Sequence, residues 1–302
     1  MIHGMIAVNK EIGYTSHDVV AIMRGIFGQK KIGHTGTLDP DASGVLPICL
    51  GNATKLSGML TDQDKEYIAE LRLGVTTSTQ DMSGTIQRRR PVDGLKESDF
   101  DKIVREFASQ GEYWQIPPMY SAIKIGGKKL YELARSGKEI ERPPRQVQIY
   151  EAEILNLNLS DAYAKIRVRC SKGTYIRTFI TDIGERFGCG AAMAGLVRTR
   201  VGSITLSECV TIAYLEKERE AGTLTARLLP TDSFFEDLPA LHIQNEMVHL
   251  LQNGNSFFVP ATVENPIKAP ERIRAYDESG RFYGIYQYDR ANMRYRPEKM
   301  FL

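Results

Sequence analysis

From Gly33 to Pro47 the chain reads Gly-His-Thr-Gly-Thr-Leu-Asp-Pro-Asp-Ala-Ser-Gly-Val-Leu-Pro, and the acid at its centre is Asp39. Gly33, Gly36 and Gly44 allow backbone angles and close approaches that other residues resist. Pro40 drives Asp39 toward an extended conformation and away from helix. A carboxylate held in this way can serve as a nucleophile or a base without any cofactor. Asp-Pro is also an ordinary turn dipeptide. The density of small residues along the whole run is what favours a site over a plain turn.

The elements around this loop follow from periodicity. Met5 to Val8 reads as a short buried strand, and Thr15 with Asp18 as the capping pair of a helix. Its apolar stripe is Val19, Ile22, Met23, Ile26 and Phe27, with Gly28 as the stop. Tyr67, Ala69, Leu71 and Leu73 alternate as a strand buried on one face would. Ser98 is placed to cap a helix whose stripe is Phe100, Ile103, Val104 and Phe107. Ala162 to Cys170 alternates more cleanly, which predicts a buried face and a wet, basic face carrying Lys165, Arg167 and Arg169. From Thr174 to Gly188 the period becomes helical, through Ile176, Phe179, Ile180, Ile183 and Phe187. That helix start offers free N–H groups beside Tyr175 and Arg177, a place to hold an anion.

Strands and helices in no strict alternation predict an α+β fold with a mixed, largely antiparallel sheet. The turn formers of Leu228–Ser233 read as the start of a linker. Beyond it the chain is short-stranded, with Asn253-Gly254 and Ser279-Gly280 as hairpin signals. The expected domains are therefore residues 1–235 and a small C-terminal β domain, residues 236–302.

A chain of 302 residues with 42% hydrophobic and 25% charged residues is ordinary for a globular protein. There is no apolar run of transmembrane length and no secretory leader. Cys49, Cys170, Cys189 and Cys209 are widely spaced and the five histidines unpaired, so no metal is expected, and reduced thiols suit a cytoplasmic protein. Net charge is only +2, yet Lys124 to Arg145 holds seven basic residues against three acidic ones. With Tyr120 and Tyr131 interleaved, this segment suits a phosphate backbone with unstacked bases nearby. A solvated charged loop has the same composition.

The glycine-rich run resembles the signature of the TruB family of bacterial pseudouridine synthases. The similarity continues through Ile48-Cys-Leu-Gly-Asn-Ala-Thr-Lys55, Lys65-Glu-Tyr67, Ile116-Pro-Pro-Met-Tyr-Ser-Ala-Ile-Lys124 and Cys170-Ser-Lys-Gly-Thr-Tyr-Ile-Arg177, and covers roughly residues 5 to 202. The tail resembles a PUA domain more weakly. The resemblance implies a monomeric isomerase that converts uridine 55, in the T arm of tRNA, to pseudouridine, with no cofactor. It makes Asp39 the nucleophile, attacking C6 of the base or C1′ of the sugar, and Arg177 its cationic partner. A nucleophilic carboxylate must stay ionised in a partly dry pocket, and a neighbouring cation favours that form. Tyr67 matches the tyrosine that stacks on the extruded base, and is a candidate to move the C5 proton. Tyr175 and Leu196 match pocket residues, His34 a residue that fills or props the space left by the base, and Lys10 a support of the catalytic loop. Lys124, Lys128 and Lys129 fall in the RNA-binding insertion near residues 120–145.

The chain departs from the family pattern at Asn9-Lys10-Glu11, where Asp-Lys-Pro is usual, and at Leu196-Val197-Arg198-Thr199, where Leu-Arg-Arg-Thr is usual. Arg290, Arg294, Arg296 and Lys299, among Tyr288 and Tyr295, suit either contact with the acceptor end of a tRNA or an ordinary polar surface. Two other functions fit parts of the sequence. One is a non-catalytic tRNA-binding or folding factor on the same scaffold, for which Asp39 would be dispensable. The other is a nucleotide-binding enzyme, which the absence of Gly-Lys-Ser/Thr ranks last.

Overall fold

The computed structural model describes residues 1–258 and 269–302. The chain opens with β1 (Gly4–Lys10), α1 (Ser16–Phe27), β2 (Ile32–His34), β3 (Ala42–Leu50), α2 (Ser57–Thr61) and β4 (Lys65–Leu73). A hairpin, β5 (Val75–Thr77) and β6 (Ile86–Arg89), precedes α3 (Glu97–Ser109) and β7 (Tyr113–Gln115). The basic segment folds as β8 (Lys124–Ile125), β9 (Lys128–Lys129) and α4 (Leu130–Arg135), and returns through β10 (Arg145–Val147). Next come β11 (Ile149–Asn158), β12 (Tyr163–Cys170), α5 (Ile176–Phe187), β13 (Ala191–Val201), β14 (Ile204–Thr205) and α6 (Ile212–Ala221). The C-terminal part adds β15 (Ala240–Ile243), α7 (Val248–Gln252), β16 (Phe257–Phe258), β17 (Arg272–Asp277), β18 (Phe282–Asp289) and β19 (Arg294–Met300).

The fold is α+β, as its patterning predicts. The large sheet runs β1-β3-β13-β4-β12-β11, with β2 added to β3 and β14 to β13. Of its pairings only β3 with β13 is parallel. α3 and α5 pack on it through Phe100, Phe107, Phe179 and Ile183, whose partners include Leu71, Ile166 and Val168. α1 and α6 cover β1 and β3 through Val19, Met23, Ile26 and Leu215. Among the described residues no helix is long and apolar enough to cross a membrane.

Local chemistry explains the boundaries. Thr15 and Asp18 form a reciprocal capping box, and Gly28 closes α1 at φ +62°. α3 starts at Glu97 with Lys96 at the cap, so Ser98 lies inside the helix instead of capping it; Glu97 and Asp99 supply the negative first turn. Ala162 is not part of the alternating strand but turns at φ +49° before it. The outward face of β12 is not a free basic face. Lys165 pairs with Glu70 at 3.0 Å, Arg169 with Glu151 at 3.1 Å, and Arg167 with Glu153.

Leu228–Ser233 is no free linker either. Met5 and Leu229 exchange two backbone hydrogen bonds of 2.8 Å, which fasten this segment to β1. The C-terminal strands form a second sheet, β15-β17-β18-β19-β16. Ile285 and Phe301 of this part share an apolar cluster with Met5, Ala7, Val45 and Cys49. Ser279-Gly280 turns the β17–β18 hairpin. Asn253-Gly254 instead ends α7, where Asn253 is the cap and Gly254 has φ +63°. Tyr288 and Tyr295 are core residues, and Arg294 and Arg296 both pair with Asp289. This favours a structural surface there over a stacking one. Residues 259–268 of the expected C-terminal domain lie outside the described residues.

Candidate active site

Asp39 sits on the loop that enters β3, between β1 and β13 in the sheet. The residue before it is an anchor: Leu38 is buried in the same cluster as Tyr67, Ala42 and Leu196. The buried Ser16 hydroxyl accepts from the Leu38 N–H at 2.9 Å and donates to the Leu38 carbonyl at 3.3 Å. The Ala42 N–H closes the turn on the Asp39 carbonyl at 3.1 Å. Lys10 is wholly buried, and its ammonium donates to the carbonyls of Glu11 (3.0 Å), Tyr14 (2.6 Å) and Pro40 (3.2 Å). The Gly13 N–H also donates to Pro40 O, at 2.9 Å. Glu11 in place of the usual proline leaves this brace intact. Burial holds the Lys10 ammonium down to about 8, with Asp39 opposing.

Gly44 shows why glycine is needed here. It lies opposite Lys10 on β1 and Arg198 on β13. At φ +110°, a Cβ on Gly44 would stand 2.2 Å from the Arg198 carbonyl oxygen.

Arg177 enters from the first turn of α5. Its side chain is 6% exposed, whereas that of Asp39 is 38% exposed. Nε meets Asp39 Oδ2 at 2.9 Å and Nη2 meets Oδ1 at 3.3 Å, a two-pronged ion pair. Nη2 also donates to Tyr120 O at 2.8 Å, and Nη1 to Thr79 O at 3.0 Å. Asp81 Oδ2 lies 3.7 Å from Nη1. One guanidinium thus joins the Asp39 loop, the turn after β5 and the root of the basic segment. At the helix start the Tyr175 N–H is already taken, by Gln115 Oε1 at 2.9 Å, and Gln115 donates back to Tyr175 O at 3.1 Å.

Tyr67 and Leu196 come from neighbouring strands. Leu196 pairs with Ala42 on one side and Ala69 on the other, and Arg198 faces Tyr67. Tyr67 is 8% exposed, and burial pushes its phenol up to about 12. Burial also raises the Tyr175 phenol. His34 packs edge-on against His17, ring centroids 5.2 Å apart. Its Nδ1 is buried without a partner, and burial first, then the charges of His17 and Arg198, lower its pKa.

The three lysines lie away from this centre, on the β8–β9 hairpin. Lys124 is directly opposite Lys129, a like-charge pair that an anion would relieve. Lys124 and Lys128 are exposed, while Lys129 reaches the Tyr131 hydroxyl at 3.3 Å and lies 5.4 Å from its ring centroid. Among the described residues no cluster of metal-ligating side chains occurs.

Sequence reasoning passed over Asp81, Gln115 and Ser16. Gln115 directly precedes the Ile116-Pro-Pro block, which was a usable signal. Asp81 lies in a run of turn formers, Thr77 to Gly84, where an acid looks ordinary.

Comparison with known proteins places the chain. Residues 24–176 match the family model described as TruB family pseudouridylate synthase, N-terminal domain. Residues 177–236 match that of the tRNA pseudouridylate synthase B C-terminal domain. A tRNA pseudouridine synthase B of Lachnoclostridium phytofermentans is 47% identical over 310 residues, 99% of this chain and 100% of that protein. That of Bacillus pumilus is 42% identical over 290 residues, 95% of this chain and 93% of the other. Among solved structures, a Cbf5-Nop10-Gar1 complex matches at TM-score 0.67 and 26% identity, over 99% of this chain and 85% of that chain. An H/ACA RNP bound to a substrate RNA containing 2'-deoxyuridine shares the fold at TM-score 0.67 and 24% identity, with the same coverage of 99% and 85%.

Proposed function

The chain belongs to the TruB family of pseudouridylate synthases, and on that premise we propose how its site converts uridine in tRNA. It is a pseudouridine synthase, an isomerase that acts on tRNA. The uridine we assign is position 55 of the T arm, and the nucleophile is Asp39. The observation that carries this reading is the partly exposed Asp39 carboxylate gripped at two points by a buried guanidinium. Binding RNA alone has no need of a fixed acid facing outward.

The target uridine is extruded from the T loop, since its reacting atoms are out of reach within folded RNA. Tyr67, Tyr175 and Leu196 receive the ring, and His34 props the space it leaves. The Asp39 carboxylate opens the reaction at C6 or C1′, and the N1–C1′ bond breaks. The base turns in place, C5 bonds to C1′, and the Asp39 carboxylate leaves the carbon it attacked with its bonding pair, leaving a double bond between N1 and C6. The C5–H pair then closes the C5–C6 double bond, and the N1–C6 π pair moves onto N1. Tyr67 oxygen takes the C5 proton as its own proton passes to N1, so the ring gains and loses nothing overall. Lys10 braces the loop beneath Asp39.

Lys124, Lys128 and Lys129 bind the RNA backbone, on an insertion whose root at Tyr120 is tied to Arg177. Residues 1–235 form the catalytic domain in this reading, and residues 236–302 a smaller PUA-like one.

The test is a T-arm stem-loop with C5-tritiated uridine. The protein should release the label from the assigned position with no additive, and none when that uridine is moved one place along the loop. Release that ignores position would remove the T-arm assignment. Tight binding with no release would point to the non-catalytic folding factor.

A further inference from the structure

Among the described residues Arg198 is the largest fully buried side chain, 1% exposed. A buried charge is costly unless it is paired. Yet among the described residues no carboxylate lies within ion-pair distance of it. Its guanidinium instead donates to three backbone carbonyls: Nε to Val45 O at 2.8 Å, Nη2 to Gly36 O at 3.3 Å and Nη1 to Thr37 O at 3.5 Å. Two of these belong to the loop that carries Asp39, and the third to the strand it enters. Lys10 and Lys65, both buried, also feel its charge and add positive charge of their own, so buried positive charge is in excess here.

The group placed to use that excess is Tyr67. It lies directly opposite Arg198 across the β4–β13 ladder, so both side chains project from the same face. A fixed charge aimed where negative charge develops is worth far more in a dry site than in water.

We propose that Arg198 is a positioning residue of the isomerisation, which holds its charge against the Tyr67 oxygen during transfer of the C5 proton. This rests on the reading of Tyr67 as the group that moves that proton. In the transfer, the C5–H pair becomes the C5–C6 double bond. The phenolic oxygen accepts the C5 proton while its own proton goes to N1. Phenolate character arises whenever the second movement leads the first, and Arg198 stabilises it. The charge of Arg198 is the foremost influence that opposes the effect of burial on the Tyr67 phenol.

A double-mutant cycle with an isotope readout tests this. Single turnovers are followed on RNA carrying protium or deuterium at C5 for wild type, Arg198→Met, Arg198→Lys, Tyr67→Phe and Arg198→Met with Tyr67→Phe, each checked for a native melting transition. We expect Arg198→Met to slow turnover about 100-fold and to raise the C5 isotope effect. Arg198→Lys should recover about 10-fold of that loss. The double variant should be no more than about 3-fold slower than Tyr67→Phe, because both changes remove one function. Losses that multiply, or an unchanged isotope effect, would show that Arg198 only supports the loop and would overturn the proposal. If methionine prevents folding, the same cycle with Arg198→Lys decides, by the same criteria. Failure of the wild type to release C5 hydrogen would instead overturn the reading of the site itself.

Discussion

Arg177 brings its guanidinium within 3.3 Å of four oxygens on three separate segments, with Asp81 Oδ2 a further 3.7 Å from Nη1. Lysine cannot reproduce that fork. Lys10 does a comparable task with a point charge, and its burial has a measurable consequence. The native ammonium titrates near 8, and the unfolded one near 10.5. Between those values the unfolded chain holds a proton that the native chain has released, so stability climbs with pH through that window. Below it both states are protonated and the burial penalty is constant. Urea midpoints at about pH 7 and about pH 10 should show wild type gaining on Lys10→Met as pH rises. Lys65, also held down to about 8 by burial, supplies the climb that remains in the variant. Equal pH dependence in the two proteins would contradict this. At this scale the sequence discloses side-chain types and little else. Asp39 and Arg177 stand out as residues, but the acceptors at Thr79, Tyr120 and Pro40 are backbone carbonyls, which every residue possesses. Asp81 looks like one more turn former until Arg177 is seen beside it.

The elements bring these residues together because β3, β13 and β4 are adjacent. The Asp39 loop enters the first, Leu196 and Arg198 lie on the second, and Tyr67 on the third. The approach of β3 to β13 depends on Gly44. Gly44→Ala should cost about 3 kcal/mol, read as a lower denaturant midpoint, because neither backbone can yield to the new methyl without breaking the ladder. A loss within about 0.5 kcal/mol would mean that the strands slip freely. The β8–β9 hairpin makes a different prediction. Lys124→Ala and Lys128→Ala should each raise KM at unchanged kcat, and each should reduce the salt slope of RNA binding by about 1. Unchanged slopes would remove these lysines from the interface. Periodicity makes α1, α5 and β4 legible, since each buries one regular face. It misleads where charge is concerned: alternation shows which side chains of β12 face outward, but not that Glu70, Glu151 and Glu153 on neighbouring strands neutralise them. The same limit explains Asn253-Gly254. A left-handed glycine ends a helix as readily as it turns a hairpin.

At the scale of the whole molecule, two sheets meet through Met5, Ala7, Ile285 and Phe301, and the segment between them is hydrogen-bonded to β1. Composition gives no hint of this docking, because turn formers look alike whether they hang free or lie on a strand. The family is legible because its blocks recur in order along two-thirds of the chain, and the matches at 47% and 42% identity agree. The central claim remains chemical: a clamped carboxylate bonds to an extruded uridine. The most direct measurement compares wild type and Asp39→Asn on one C5-tritiated T-arm stem-loop, recording affinity and tritium release together. Asparagine keeps the shape and removes the nucleophile, so affinity should stay within about 3-fold while release falls by at least about 10⁴-fold. Sustained release by the Asn variant at equal affinity would contradict the account.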